Sequence, residues 1–203
     1  ECDGLINEFE QRNNESFSEH SKNFNTNEIE WNSFKVVPLK PKTPNFDLIK
    51  SKTKKVVNLY LDYLSKPNYF FIDLLKESLA FSHSYRIMKY EKGNSIHPHS
   101  DHSPHTYGSI TFNLSKDYEG GEFKFFNGNY TIPLSKGDVL IFPADYFWVH
   151  EVTPITKGIR YSINSFLKSH PSKSVMLGTY MADLIKADEI SRTPKEELLG
   201  PYN

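Results

Sequence analysis

The stretch from residue 82 to residue 167 most restricts what this chain can fold into. It consists of short runs rich in β-branched and aromatic residues, separated at close intervals by Gly, Pro, Asn and Asp. Such runs are typical of strands, and the separating residues are typical of turns. We predict eight strands, which favours a jelly roll or a barrel. They cover residues 84–90, 96–99, 108–114, 121–126, 130–132, 139–143, 148–152 and 158–167.

Helical patterns flank this β region. Apolar residues at helical spacing predict helices at 2–10, 46–64 and 72–79, and a further helix around 175–185 before a charged tail. Residues 13–28 carry few apolar side chains, which indicates a loop-rich segment. We therefore predict a mainly β fold with flanking helices (α+β), in which N-terminal helices pack on one sheet. Residues 1–81 form helical and loop support, 82–167 the β core, and 168–203 a C-terminal helix and tail.

Length and composition exclude several classes of protein. A chain of 203 residues is long enough for one core of ordinary size, so we expect a single domain over 1–203. The formal net charge of -1 provides no field to hold a nucleic acid or an anionic membrane. The single cysteine, Cys2, allows neither an internal disulfide nor a cysteine-based zinc site. We expect a soluble, cytoplasmic protein with no nucleic-acid or membrane partner.

Two predicted strands alternate between an apolar and a polar face. On the first, Ile110 and Phe112 share one face, and Ser109, Thr111 and Asn113 share the other. On the last strand, the polar face carries Arg160, Ser162 and Asn164. A half-exposed sheet would turn these polar faces to solvent. A functional site inside the barrel would turn them inward.

Three residues have the chemistry of a metal site. His99 and Asp101 are two positions apart, so both project to one face of an extended backbone. His150 lies at the end of a later strand, which a jelly roll can place beside this pair. Imidazole and carboxylate ligands suit iron, manganese or zinc, and two His with one carboxylate form the facial triad of non-haem Fe(II) oxygenases.

Arg160 stands ten residues after His150 on the polar strand face. A guanidinium inside a barrel needs an anionic partner, and its planar fork matches a carboxylate. A dicarboxylic cosubstrate could chelate the metal as a 2-oxo acid and pair its far carboxylate with Arg160. Ser162 and Asn164 could donate further hydrogen bonds. We expect His97, His102 and His105 to have surface or supporting roles, with a separate metal site as the alternative.

Together these motifs resemble the Fe(II)- and 2-oxoglutarate-dependent dioxygenases, and among them the prolyl 4-hydroxylase-like branch. The resemblance covers residues 85–166. It depends on an ordered set of short motifs: Tyr90 with Gly93, His99-Ser100-Asp101, the strand at 110–114, Glu119-Gly120-Gly121-Glu122-Phe123, Pro133, Lys136-Gly137-Asp138, Phe142-Pro143, His150-Glu151-Val152-Thr153-Pro154 and Gly158-Ile159-Arg160-Tyr161-Ser162.

The resemblance implies a double-stranded β-helix (jelly roll, cupin-like) with Fe(II) held by His99, Asp101 and His150. It further implies that 2-oxoglutarate is anchored by Arg160 and contacted by Tyr90 and by Asn113, which stands at a position where relatives often carry a tyrosine. The cofactors are then Fe(II), 2-oxoglutarate and O2, with ascorbate as an accessory. Because Asp101 is present, the expected reaction is hydroxylation, with release of succinate and CO2, and not halogenation.

The expected substrate is a proline-containing peptide or protein. Another residue or a small molecule in the same site geometry is an alternative. A different class of function is a non-catalytic β-helix that binds a metal or a small acid as a sensor or scaffold. Intact candidate ligands together with Arg160 favour the enzyme.

Overall fold

The computed structural model describes residues 1–22, 29–66 and 72–169 of the chain. Within these ranges the helices are α1 (Cys2–Gln11), α2 (Pro44–Ser65) and α3 (Ile72–Ser78), with a 3-10 turn at Asn13–Glu15. The strands are β1 (Phe17–Lys22), β2 (Ile29–Pro38), β3 (Phe81–Tyr90), β4 (Ile96–His99), β5 (Thr106–Asn113), β6 (Tyr118–Gly120), β7 (Phe123–Phe125), β8 (Tyr130–Ile132), β9 (Val139–Pro143), β10 (His150–Val152), β11 (Ile155–Gly158) and β12 (Arg160–Lys168).

The strands form two main antiparallel sheets and one small one. The larger sheet has the order β1-β2-β3-β12-β5-β9, the second has the order β4-β10-β7-β8, and β11 pairs with β6. Strands from both main sheets line a common cleft. The predicted mainly β fold with a double-stranded β-helix core is confirmed.

The helices cover the outer face of the larger sheet. Leu5 and Phe9 of α1 and Phe46 of α2 are buried against apolar side chains of β5 and β12, such as Ile110 and Ile163. Full burial of each such side chain contributes roughly 1.5–3 kcal/mol. The start of α2 is set locally, because Thr43 accepts a hydrogen bond from the amide of Phe46 and Pro44 begins the helix. The predicted placement of helices on one sheet is therefore confirmed.

The polar faces of β5 and β12 turn inward, towards the second sheet. Ser109, Thr111, Arg160 and Ser162 are all 4% exposed or less, and all line the cleft between the sheets. The alternation seen in the sequence thus separates a helix-covered apolar face from a buried polar face. The alternative of a solvent-facing polar side is wrong.

The prediction that residues 1–81 contain only helices and loops is wrong. β1 and β2 extend the larger sheet, with Val36 of β2 aligned with Met88 of β3 and Glu19 of β1 aligned with Phe34. β1 is a polar edge strand, so its conformation depends on pairing with β2 and not on an apolar alternation that the sequence could display.

The number of strands also differs from the prediction. Twelve strands occur within the described ranges, four more than predicted. The additional strands are β1 and β2 at the sheet edge and the short β6 and β11. The predicted strand 158–167 is interrupted, since Gly158 has a φ of +75° and β12 begins at Arg160. The predicted C-terminal helix lies outside the described residues, and the single-domain organisation of 1–203 stays a prediction. None of the helices described is both long and apolar enough to cross a membrane.

Candidate active site

Pairing of β4 with β10 brings the predicted metal ligands together. His99 and His150 are directly opposite each other in this antiparallel pair, and Asp101 follows His99 by two residues. Asp101 Oδ1 lies 3.3 Å from His99 Nε2, and Asp101 Oδ2 lies 3.5 Å from His150 Nε2. One donor atom from each residue lies within 4.8 Å of the other two. The described residues contain no other group of three His, Cys, Asp or Glu arranged in this way.

The hydrogen bonds of both imidazoles orient them for a cation. His99 Nδ1 lies 2.8 Å from the carbonyl of His97, and His150 Nδ1 lies 3.0 Å from the carbonyl of Trp148. A carbonyl can only accept, so each Nδ1 carries the proton. In the neutral imidazole each Nε2 then carries a lone pair. Both lone pairs are available to a cation bound between His99, Asp101 and His150, as metal-binding histidines require.

Asp101 is held as a carboxylate. Burial acts to raise its pKa, but a hydrogen bond from protonated His99, the charge of protonated His150 and the hydroxyl of Ser109 together lower the pKa below its ordinary value. The Ser109 hydroxyl donates to Oδ2 at 2.5 Å. The two imidazoles differ: burial lowers the pKa of His150, whereas Asp101 outweighs burial and raises the pKa of His99.

Aromatic side chains form the wall behind His150. The Phe123 ring stacks on the imidazole with a centroid distance of 5.3 Å and an interplanar angle of 10°, and Phe142 approaches edge-on at 4.8 Å. His150 is 4% exposed. This wall restricts the imidazole and keeps water from that side of the site.

Arg160 lies in the same cleft, buried and without an acidic partner. It is 1% exposed, and its Nε and Nη1 have no hydrogen-bond partner among the described residues. The guanidinium lies over the ring of Tyr90, and the nearby Ser162 hydroxyl is also buried without a partner. An unpaired buried charge is strongly unfavourable. These atoms therefore fit a bound carboxylate, which would accept charge-assisted hydrogen bonds from the guanidinium.

We call the space that these groups line the inner cleft. Of the residues predicted from the sequence, it is lined by His99, Asp101, His150, Tyr90, Arg160, Ser162 and Asn164.

The prediction that Asn113 contacts the cosubstrate is not supported, because Asn113 does not line the inner cleft. It ends β5, and its amide nitrogen donates to the carbonyls of Ser115, Leu134 and Ser135 at 2.9–3.2 Å. Its amide oxygen accepts from the Tyr118 hydroxyl. Both functions of the side chain thus anchor neighbouring loops, which leaves it no donor for a ligand.

Sequence reasoning missed other residues of the site. Ser109 stands on the polar face that the alternation identified, on the strand that follows the His99-Asp101 pair in the chain, and this position could have marked it. Glu19 and Arg86 line a groove next to the inner cleft. Nothing local distinguishes them, because β1 reaches the site only through its pairing with β2.

A double-stranded β-helix with two imidazoles, one carboxylate and a buried unpaired guanidinium in one cleft has the features of a non-haem metal oxygenase. Residues 85–168 match the family model described as the 2OG-Fe(II) oxygenase superfamily. These residues, less than half of the chain, are similar to that superfamily, as the sequence motifs indicate. The cofactors of the superfamily are Fe(II), 2-oxoglutarate and O2, as expected from the sequence.

Comparisons with individual proteins show the same similarity. A PKHD-type hydroxylase from Synechococcus sp. is 35% identical over 99 residues, covering 43% of this chain and 43% of that protein. Procollagen-lysine,2-oxoglutarate 5-dioxygenase 1 from Rattus norvegicus is 31% identical over 143 residues, covering 70% of this chain and 16% of that protein. The chain therefore spans less than half the length of these curated relatives.

A solved structure of similar fold is a prolyl-4-hydroxylase from Pseudomonas putida. Its TM-score is 0.58 at 17% sequence identity, and the match covers 82% of this chain and 86% of that one. At this identity the likeness concerns the fold alone.

Proposed function

We propose that this protein is a 2-oxoglutarate-dependent dioxygenase that hydroxylates an unactivated C–H bond of a peptide, most simply at proline. The single observation that carries the proposal is the placement of Arg160. Its unpaired guanidinium shares one buried cleft with His99, Asp101 and His150. A ligand with a carboxylate at one end and a metal-chelating group at the other would satisfy both.

Several residues of the inner cleft have a part in this proposal. His99 Nε2, His150 Nε2 and an Asp101 oxygen would hold Fe(II). When bound, Fe(II) with O2 supplies the oxidative decarboxylation of 2-oxoglutarate to succinate and CO2 and the transfer of one oxygen atom to the substrate. Arg160 and the Ser162 hydroxyl would bind the far carboxylate of the cosubstrate. The Tyr90 ring supports the guanidinium, and the aromatic wall excludes water.

A peptide substrate is supported by the names of two proteins similar to this chain. One acts on lysine of procollagen, and the other is a prolyl-4-hydroxylase. A groove beside the inner cleft also gives an extended chain room to approach the metal ligands. We further propose a cytoplasmic location, which the single cysteine favours. Fractionation of the source cells tests this location.

The proposal is tested by measuring succinate formed from 2-oxoglutarate in air with added Fe(II). The peptides are a library that includes proline-rich repeats, and hydroxylation is read as a mass gain of one oxygen. We expect His99→Ala and Asp101→Ala to abolish succinate formation. The matched control is His83→Ala, which changes a histidine of the larger sheet that does not line the inner cleft.

Absence of succinate under all these conditions would contradict the proposal that the protein is an enzyme. Unchanged turnover in both His99→Ala and Asp101→Ala would contradict it as well. Binding of metal and 2-oxoglutarate without any turnover would instead support a sensor or scaffold. Succinate formation with oxygen transfer only to a small molecule would support the proposed reaction and contradict the proposed peptide substrate.

A further inference from the structure

A second cavity opens beside the inner cleft, and we call it the outer groove. Its wall is formed by Glu19, His20 and Ser21 of β1 with Phe34 and Arg86. The residues that line both cavities are Met88, Ile96, His99, Asp101, Asn164 and Phe166. Tyr90, Arg160 and Ser162 line the inner cleft but not the outer groove. His99 and Asp101 of the candidate metal site, together with Asn164, therefore lie where the two cavities meet.

A chain of hydrogen bonds runs from the edge strand β1 to this junction. Arg86 Nη1 donates to Glu19 Oε2 at 2.7 Å, and Arg86 Nε donates to Asn164 Oδ1 at 3.2 Å. Arg86 and Asn164 are also directly opposite each other in the β3–β12 pair. The guanidinium is further restricted by the Phe166 ring, whose centroid is 5.7 Å away. Three strands thus hold one amide in place.

This arrangement determines which end of the Asn164 amide is available. A guanidinium has only donors, so the oxygen of the amide must face Arg86. The amide nitrogen, with two N–H donors, is then left for the cavity. Among the described residues no acceptor is recorded for it. Asn164 therefore offers a hydrogen-bond donor beside His99 and Asp101.

We infer that Asn164 is a substrate-positioning residue whose amide nitrogen donates to a main-chain carbonyl of the bound peptide. In this inference Arg86 and Glu19 hold the amide in its donating orientation. The inference rests on the proposed function, and it reassigns Asn164 from the cosubstrate, as predicted from the sequence, to the substrate.

Two observations favour the peptide as the acceptor. The candidate cosubstrate groups, Arg160 and Ser162, are confined to the inner cleft, whereas Asn164 also lines the outer groove. A proline-containing segment lacks N–H groups at its prolines but keeps its carbonyls. Such a segment presents mainly acceptors, and a fixed donor is what recognises it.

The inference is tested by nuclear magnetic resonance on the full chain loaded with Zn(II), which is diamagnetic. The side-chain N–H resonances of Asn164 are assigned by their loss in Asn164→Ala. The probes are a peptide of Pro-Pro-Gly repeats and, separately, 2-oxoglutarate. We expect the peptide to shift these resonances, and 2-oxoglutarate alone to leave them in place.

Peptide affinity measured by calorimetry gives a second readout. We expect Asn164→Ala to raise the Kd of the peptide roughly fivefold to tenfold, as expected for loss of one hydrogen bond. The Kd of 2-oxoglutarate should change less than about twofold, because in this inference Asn164 makes no hydrogen bond to it. Arg86→Met should weaken peptide binding by a smaller factor, and the double variant should bind no more weakly than Asn164→Ala. Lys157→Met, which removes an exposed ion pair with Glu119, is the matched control.

Each contrary result overturns the inference. If Asn164→Ala weakens 2-oxoglutarate instead of the peptide, the amide belongs to the cosubstrate. If the wild-type protein binds the peptide without a shift of the Asn164 resonances, or does not bind it, Asn164 does not position such a substrate. Succinate formation by the wild-type protein is measured independently, so these results leave the proposed reaction standing.

Discussion

The guanidinium carbon of Arg160 lies 5.0 Å from the centroid of the Tyr90 ring, and no acidic side chain of the described residues pairs with it. The face of an aromatic ring stabilises a cation by only about 0.5–2 kcal/mol. This is less than the cost of burying an unpaired charge. The arrangement is therefore unfavourable for the protein alone and favourable when an anion is bound.

This balance predicts opposite effects of Arg160→Met on stability and on binding. Without ligand, the variant should be more stable, by about 1–4 kcal/mol, because a buried charge is replaced by an apolar chain of similar length. The rise in Tm that 2-oxoglutarate gives the wild-type protein should disappear. Thermal unfolding with and without 2-oxoglutarate measures both effects.

Metal affinity is the control for this variant. The affinity of Arg160→Met for Mn(II) should change far less than its requirement for 2-oxoglutarate. Equal losses of metal and cosubstrate binding would contradict the assigned role of Arg160.

Ser109→Ala should weaken metal binding without removing a ligand. The hydroxyl of Ser109 orients Asp101 and stabilises its charge. Loss of such a supporting hydrogen bond typically weakens metal affinity by roughly tenfold or more. Titration with Mn(II) measures the change. Ser78→Ala, which removes an exposed hydroxyl bonded to the Leu74 carbonyl, should bind Mn(II) as tightly as the wild-type protein. Equal affinity of Ser109→Ala would show that the bond to Asp101 is unimportant.

Gly120→Ala should destabilise the fold by several times the cost of Gly137→Ala. Both glycines have positive φ, +77° and +91°, so alanine is strained at each by roughly 1–2 kcal/mol. At Gly120 an added Cβ would also clash with the Pro154 carbonyl oxygen, whereas at Gly137 it would meet nothing within 4 Å. Chemical denaturation of the two variants compares them. Similar losses of stability in the two variants would mean that β6 and β11 can move apart with little loss of free energy.

Glu10→Gln should lower stability in a pH-dependent way. Burial acts to raise the pKa of Glu10, but hydrogen bonds from Tyr161 and Lys89 outweigh it and leave the pKa below its ordinary value. A lowered pKa stabilises the fold above the ordinary carboxyl pKa of about 4.3, and this stabilisation is lost as the pH falls through the folded-state value. We expect a difference of less than about 1 kcal/mol at neutral pH, because the carboxylate is partly exposed.

Urea denaturation of Glu10→Gln and the wild-type protein at neutral and acidic pH measures this dependence. The two free energies of unfolding should converge in acid. A difference in the free energy of unfolding that grows as the pH falls would contradict the prediction.

The local part of the candidate site could be predicted from the sequence. His99 and Asp101 share a face because side chains alternate along a strand, and Arg160 and Ser162 share a face for the same reason. The helices α1 and α2 are predicted by apolar residues at helical spacing in the sequence. Asn113 was misassigned because alternation gives the face of a strand but not the end at which the cavity stops. Two of the three carbonyls that accept from its amide lie more than twenty residues away along the chain.

By itself, then, the sequence determined eight strands of the β core, the approximate extent of the three described helices and the residue types that can hold a metal and a carboxylate. These features depend on neighbours in the chain. Only the tertiary structure decided that His150 is paired with His99, that Arg160 is buried without a partner, and that polar β1 joins the sheet to reach Arg86. Those relations arise from pairing between distant strands. Their energy comes from contacts that exist only once the chain has folded.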